Sequence, residues 1–159
     1  MPRQLTHQEI EARLRTAGWQ PGRDVGEGAV AALTASAAAE LGSHGYAVSP
    51  FSTVISFLRE FAFLDLESPG EPPNEHCIFE VRFVDAVRTR EISELSGDLQ
   101  QPLFPVAFER LERGMAVMDP LGRCFYTHWS GFYYLGSERY EVLNSLLTGD
   151  QSDADEFYV

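Results

Sequence analysis

Gly114-Met115-Ala116-Val117-Met118-Asp119-Pro120-Leu121-Gly122-Arg123-Cys124-Phe125-Tyr126-Thr127-His128 sets two short apolar runs on either side of a turn. Asp119, Pro120 and Gly122 supply the turn chemistry, and each flank has a strand's length and composition, so the stretch reads as a hairpin. Phe104 to Phe108 adds a strand before it, and Phe132 to Leu135, around Ser130-Gly131, adds one after it. The second half of the chain is therefore a meander. Earlier strand signals lie at Phe63-Leu64-Asp65-Leu66 and at Cys77, Phe79 and Val81, which alternate with polar positions; the Pro-rich stretch from Ser68 to Asn74 between them reads as a loop.

Helical signals dominate the first half. Thr6 and Glu9 form a capping box and Leu5 and Ile10 a hydrophobic staple, which starts a helix running to Ala17 with Gly18 as its stop. An alanine-rich helix spans Glu27 to Leu41. Ser49-Pro50 is expected to open a third, whose apolar positions Phe51, Val54, Ile55, Leu58, Phe61 and Ala62 keep helical spacing and should face the sheet. A fourth, from about Val84 to Ser96, carries enough Arg and Glu to read as a surface element. The last, capped by Ser137 and stopped by Gly149, has Tyr140, Leu143, Leu146 and Leu147 as its apolar face. Helices first, strands second and one closing helix give an α+β fold, an antiparallel-dominated sheet with packed helices. The expected organisation is a single domain over residues 1–149, followed by an acidic, disordered tail at 150–159.

The chain has 159 residues, 44% of them hydrophobic, which is material for one domain with a sizeable core. Two cysteines, Cys77 and Cys124, are too few for a disulfide framework and point to a reducing compartment. There is no secretory leader pattern and no run near the roughly 18 apolar residues of a membrane span, so a cytoplasmic location without membrane attachment is expected.

Acidic residues outnumber basic ones 24 to 12, giving a formal charge of -12. Phosphate backbones would be repelled, which argues against a nucleic-acid ligand and favours a basic protein partner. From Glu60 through Asp65, Glu67, Glu71 and Glu75 to Glu80 the chain has carboxylates and no Arg. Such a run is either a solvated face or a negative surface that meets a positive partner.

Motifs for chemistry are weak. Gly26-Glu27-Gly28-Ala29-Val30-Ala31 fits the loose dinucleotide fingerprint, but it follows Pro21-Gly22-Arg23-Asp24 rather than a strand, and Glu27 would meet a pyrophosphate. Cys124 and His128, four apart on a strand, stand about 13 Å from each other and cannot share a zinc ion. No nucleophile elbow is present, and His7, His44, His76 and His128 lie beside nothing that marks a triad. Asp65 and Glu67 share a strand face, which suits acid and base work or a cation but equally a solvated edge. Among Phe125, Tyr126, Trp129, Phe132, Tyr133 and Tyr134, alternation forces some rings outward, where Tyr and Trp are typical interface anchors. No cofactor is expected.

Gly18-Trp19 with Pro21-Gly22-Arg23, then Phe57-Leu58-Arg59-Glu60-Phe61, Leu103-Phe104-Pro105-Val106, Met118-Asp119-Pro120-Leu121-Gly122-Arg123 leading to Tyr126, and Leu135-Gly136 with Leu146-Leu147-Thr148-Gly149 occur in an informative order. Over about Leu14 to Gly149 the chain resembles the SUKH superfamily, and within it the third group of bacterial immunity proteins. Two positions depart from that pattern: Ala62-Phe63 stands where a glycine pair is usual, and Ala107 where glycine often follows Pro-Val. The resemblance implies a non-enzymatic α+β domain that binds a cognate polymorphic toxin, often a nuclease or nucleic-acid deaminase, in the cytoplasm of the producing cell. It transfers no catalytic or binding residues. The expected partner surface is therefore drawn from the charge pattern: Asp65, Glu67, Glu71, Glu75 and Glu80, occluding the toxin's active site. Two alternatives are a regulatory or scaffolding domain that binds an endogenous protein, and an enzyme using His128 with a carboxylate.

Overall fold

The computed structural model describes residues 4–68, 75–80, 84–110 and 113–159. In chain order the elements are α1 (His7–Thr16), α2 (Glu27–Ser43), α3 (Ser52–Phe61), β1 (Asp65–Ser68), β2 (Glu75–Ile78), α4 (Ala86–Leu99), β3 (Phe104–Glu109), β4 (Met115–Met118), β5 (Cys124–His128), β6 (Gly131–Gly136), α5 (Arg139–Thr148), β7 (Ser152–Asp153) and a 3-10 turn at Ala154–Phe157. The strands form one sheet in sequential order from β1 to β7, each antiparallel to its neighbours. The expected α+β fold is the observed one.

Local sequence sets the helix ends. Thr6 accepts from the Glu9 amide and Glu9 reaches back to the Thr6 amide, which completes the capping box. At the other end of α1, Gly18 takes a φ of 106° and the Trp19 amide donates to the Leu14 carbonyl, a Schellman stop that aims the indole back at the helix. Two expected caps move. Phe51, not Ser49, is the extended residue before α3, because Pro50 holds its predecessor out of helical space and the Phe51 ring packs on the core. At α5 the Glu138 carboxylate, not Ser137, accepts from the Tyr140 and Glu141 amides, satisfying two orphan donors at once.

Both faces of the central strands β3 and β4 are buried. Alternation along β4 sends Ala116 and Met118 into one cluster, with α1, α3 and α5, and Met115 and Val117 into another, with α4. On the first face α3 contributes Val54, Phe57, Leu58 and Phe61, all buried. The second face corrects the expectation that α4 is a surface element. Thr89, Ile92, Leu95 and Leu99 form a narrow buried stripe, flanked by half-buried Arg88 and Glu91, while Arg90 and Glu94 are exposed.

The acidic end is also ordered, where a disordered tail was expected from residue 150. β7 pairs with β6 through Ser152 and Asp153, Ala154 is fully buried in the second cluster, and Phe157 lies 5.7 Å from the Phe125 ring and 4.2 Å from Tyr134. Its carboxylates lie on the outside of this turn, and Asp153 caps it by accepting from the Asp155 amide. Composition averaged over ten residues hides the two apolar side chains that anchor them.

The family departures have local consequences only. Phe63 adopts a φ of 69°, the left-handed conformation a glycine would take without strain, and the turn persists at a cost of roughly 1–2 kcal/mol. At Ala107 the pairing of β3 with β4 shifts register, and the residue is fully buried without a positive φ.

Cys77 and Cys124 are free thiols in the first cluster, and burial pushes both well above the ordinary thiol range. A thiol reagent should therefore leave the native protein unmodified and label both residues once denaturant unfolds it. The native state keeps these protons above about pH 8.5, where unfolded cysteines lose theirs, so the thiol contribution to stability should decline as pH rises through that value. Phe157→Ala should lower stability by about 2 kcal/mol, less than a full core deletion because the ring is half-buried, with a matching shift in the urea midpoint.

Candidate functional site

The segments that mark the chain converge on Glu60. Its carboxylate accepts from the Trp19 indole nitrogen at 3.1 Å and from Arg139 Nη1 at 2.6 Å, while Arg23 donates to the main-chain carbonyls of Glu60 and Ala62. One residue earlier, Arg59 makes a two-point pair with Asp24, which holds that carboxyl below its usual range. Phe57, Leu58 and Phe61 face the core between these polar residues. Trp19, Arg23 and the Phe57–Phe61 stretch thus form a single tie between α3, α5 and the segment after α1.

A second tie closes the β4–β5 turn. Asp119 is fully buried, and its carboxylate accepts from the Leu121 and Arg123 amides and from Arg123 Nε at 2.7 Å. Its carbonyl accepts from Thr53 Oγ1, which fastens the turn to the first turn of α3. Between α3, this turn and the start of α5 lies a cleft of about 360 Å³ containing Ser56, Phe57, Glu138 and the Glu60–Arg139 pair. Its two carboxylates are engaged, Glu60 by Arg139 and Trp19 and Glu138 by the first amides of α5.

The carboxylates expected to meet a partner are only partly brought together. Asp65 and Glu67 are exposed on the same face of β1, flanking buried Leu66, with Arg110 of β3's end 3.9 Å from Asp65. Glu75 pairs through its backbone with Ser68 across β1 and β2, its side chain lying outside the described residues, as does Glu71. Glu80 is half-buried just after β2. Glu60, the first acid of that run, is turned inward as described.

Aromatic residues of β5 and β6 form the other notable region. Trp129, at the hairpin tip, is 79% exposed. Behind it Tyr126, His128, Ser130, Tyr133 and Glu109 line a cleft of about 230 Å³ that reaches the last turn of α5. His128 Nδ1 lies 2.7 Å from Ser130 Oγ and also accepts from the Ser130 amide. That nitrogen is used to close the hairpin, a structural task, and Tyr126 lies between His128 and Glu109 along the cleft wall. This grouping was legible only in outline: residues 126, 128 and 133 share a face by alternation, but Glu109 joins them from another strand. Among the described residues no group of three or more His, Cys, Asp or Glu is placed to hold a metal, and no helix is long and apolar enough to cross a membrane.

Both ties predict stability effects without a binding role. Asp119→Ala should cost about 3 kcal/mol by chemical denaturation, since it strands Arg123 and two amides. Glu60→Gln should cost about 1–2 kcal/mol, because the Arg139 bond is half-exposed and the amide can still accept from Trp19.

These contacts make a firmly tied scaffold of the segments that mark the chain. A family model described as SUKH-3 immunity protein matches residues 6–149, a span that includes all five α-helices and strands β1 to β6. No curated protein and no solved structure matches the chain. With its diagnostic segments accounted for by one continuous match, the chain belongs to the SUKH-3 immunity protein family.

Proposed function

We propose that this protein neutralises a cognate toxin by binding over its active site, and that the toxin is one that handles nucleic acid, a nuclease or a nucleic-acid deaminase. Membership of the immunity family is the single observation that carries the first part, since immunity means a toxin as partner. Charge supports the second. A net charge of -12 gives the protein the sign of a nucleic acid, and a channel built to hold phosphates would attract it. Asp65 and Glu67, exposed together on β1, are the described carboxylates best placed to face such a channel, with Glu71, Glu75 and Glu80 following in the same stretch. Binding alone suffices for this function, and no catalytic step is assigned to the protein.

Co-expression with the toxin gene of the same locus should rescue growth, and the purified pair should form a stable complex. In stopped-flow mixing the association rate should fall at least about tenfold between low and high salt, and Asp65→Asn with Glu67→Gln should flatten that dependence while leaving the folded protein intact. No rescue and no complex would remove the immunity reading for that toxin. A salt-insensitive rate would remove the electrostatic part alone.

A further inference from the structure

Three exposed apolar side chains lie at one end of the sheet. Phe63 precedes β1, Val87 is in the first turn of α4, and Trp129 follows β5. Strand register puts them there: Asp65 pairs with Ile78, Ile78 with Phe108, Phe108 with Met115, and Met115 with Thr127. Side chains tie the row together across the strands. Arg110 reaches Asp65 at 3.9 Å, and Arg88 Nε donates to the Arg113 carbonyl at 3.2 Å, which brings the start of α4 against the turn between β3 and β4. Among the described residues the other exposed large hydrophobics are Tyr158 and Val159, in the C-terminal segment, and Leu121, on the β4–β5 turn at the opposite end of the sheet.

The same row holds the strained backbone. Among the described residues three that are not glycine have positive φ: Gln100, which caps α4, Phe63 at 69° and Arg113 at 59°. Glycine takes that conformation without strain, yet Phe63 keeps an aromatic ring there that is 50% exposed. Strain retained where the side chain gains little burial points to function. The Phe63 amide is fixed by the Phe79 carbonyl at 2.8 Å, so the ring is presented from an anchored turn. Trp129 is presented in a similar way: its neighbours His128 and Ser130 are joined at 2.7 Å, and Ser130 reaches Tyr133 at 3.0 Å. Rings mounted on a backbone fixed before contact lose little freedom on binding.

Size and charge select the occupant. Four strand spacings separate β1 from β5, about 19 Å, so Phe63 and Trp129 fit within one footprint of the usual roughly 800 Å² per partner. Within the row Asp65 is paired with Arg110 and Asp85 with Arg88, whereas the chain as a whole carries -12. Two copies meeting here would bring -12 against -12, a repulsion that opposes self-association. A protein with an apolar centre and a basic surround meets no such opposition, and Glu67 on β1 continues the row with negative charge.

We infer that Phe63 and Trp129 are the two apolar anchors of the surface that grips the basic protein partner. The inference rests on the proposed function for the partner's identity and deepens it by naming the residues that set the lifetime of the complex.

The test measures association and dissociation rates of the full chain with the toxin of the same locus, for wild type, Phe63→Gly, Trp129→Ala and, as control, Leu121→Ser. Phe63→Gly and Trp129→Ala should each speed dissociation about thirtyfold and change the association rate less than about threefold, while Leu121→Ser changes neither. Phe63→Gly should hold the urea midpoint at or above the wild-type value, because glycine relieves the left-handed turn, so faster dissociation would not come from a damaged fold. Hydroxyl-radical footprinting of the wild-type complex, which needs no variant, should protect Phe63 and Trp129 and leave Leu121 reactive. Unaltered dissociation in both variants, protection at Leu121 instead, or a dimer of the free protein that Trp129→Ala dissolves would overturn the inference. A stable complex whose lifetime ignores both rings sinks the inference and leaves immunity standing; no complex with the wild-type chain removes the reading of the partner and the inference together.

Discussion

Glu60 is the point at which three parts of the chain are fixed relative to one another. Its carboxylate joins the indole after α1 to the first residue of α5, and the main chain around it is capped by Arg23. A helix end leaves carbonyls without partners, and a guanidinium there both satisfies them and opposes the helix dipole. Burial lowers the Arg23 pKa, so the desolvation of this cation is a real cost that its two carbonyls and the nearby Glu60 charge offset. With the end of α3 held in this way, the chain can turn within three residues from helix into β1, even though the turn forces Phe63 into left-handed backbone.

That arrangement decides what surface remains for recognition. Packing α1, α3 and α5 on one face and α4 with the C-terminal turn on the other leaves the central strands no open face. Each of β3 and β4 is nearly apolar throughout, as expected for strands covered on both sides. The surface open to another protein is therefore the outer faces of the helices, the sheet edges, the hairpin tips and the clefts between layers. Asp65 and Glu67 lie on the edge strand β1, and Trp129 at the tip of the β5–β6 hairpin. Exposed carboxylates contribute mainly to encounter rate, and exposed aromatic rings to lifetime.

Much of this was legible in the residues. The capping box at Thr6 and Glu9, the stop at Gly18 and the hairpin around Asp119 to Gly122 are local devices, fixed by residues a few positions apart. Short apolar runs set around turn residues located β4 to β6. What escaped the sequence is non-local. The α4 stripe has only four buried positions among charged neighbours, so its amphipathicity is faint until the second face of the sheet is seen to need covering. Ala154 and Phe157 were hidden by the acids around them. At the candidate surfaces, β1 kept Asp65 and Glu67 together because strand alternation is local, whereas the link from Glu109 to Tyr126 depends on how β3, β4 and β5 are registered.

The residues that reveal the family are consumed by the fold. Trp19, Arg23, Arg59, Glu60, Asp119 and Arg123 all have internal partners, and those partners account for their identity without reference to any ligand. A scaffold whose signature residues are engaged with one another can vary elsewhere, because changing Asp65, Glu67 or Trp129 disturbs neither tie. Family membership then states what kind of partner to expect. The proposed function fits this separation: polar ties between the layers hold the fold, and the exposed side chains outside those ties are left to set the partner.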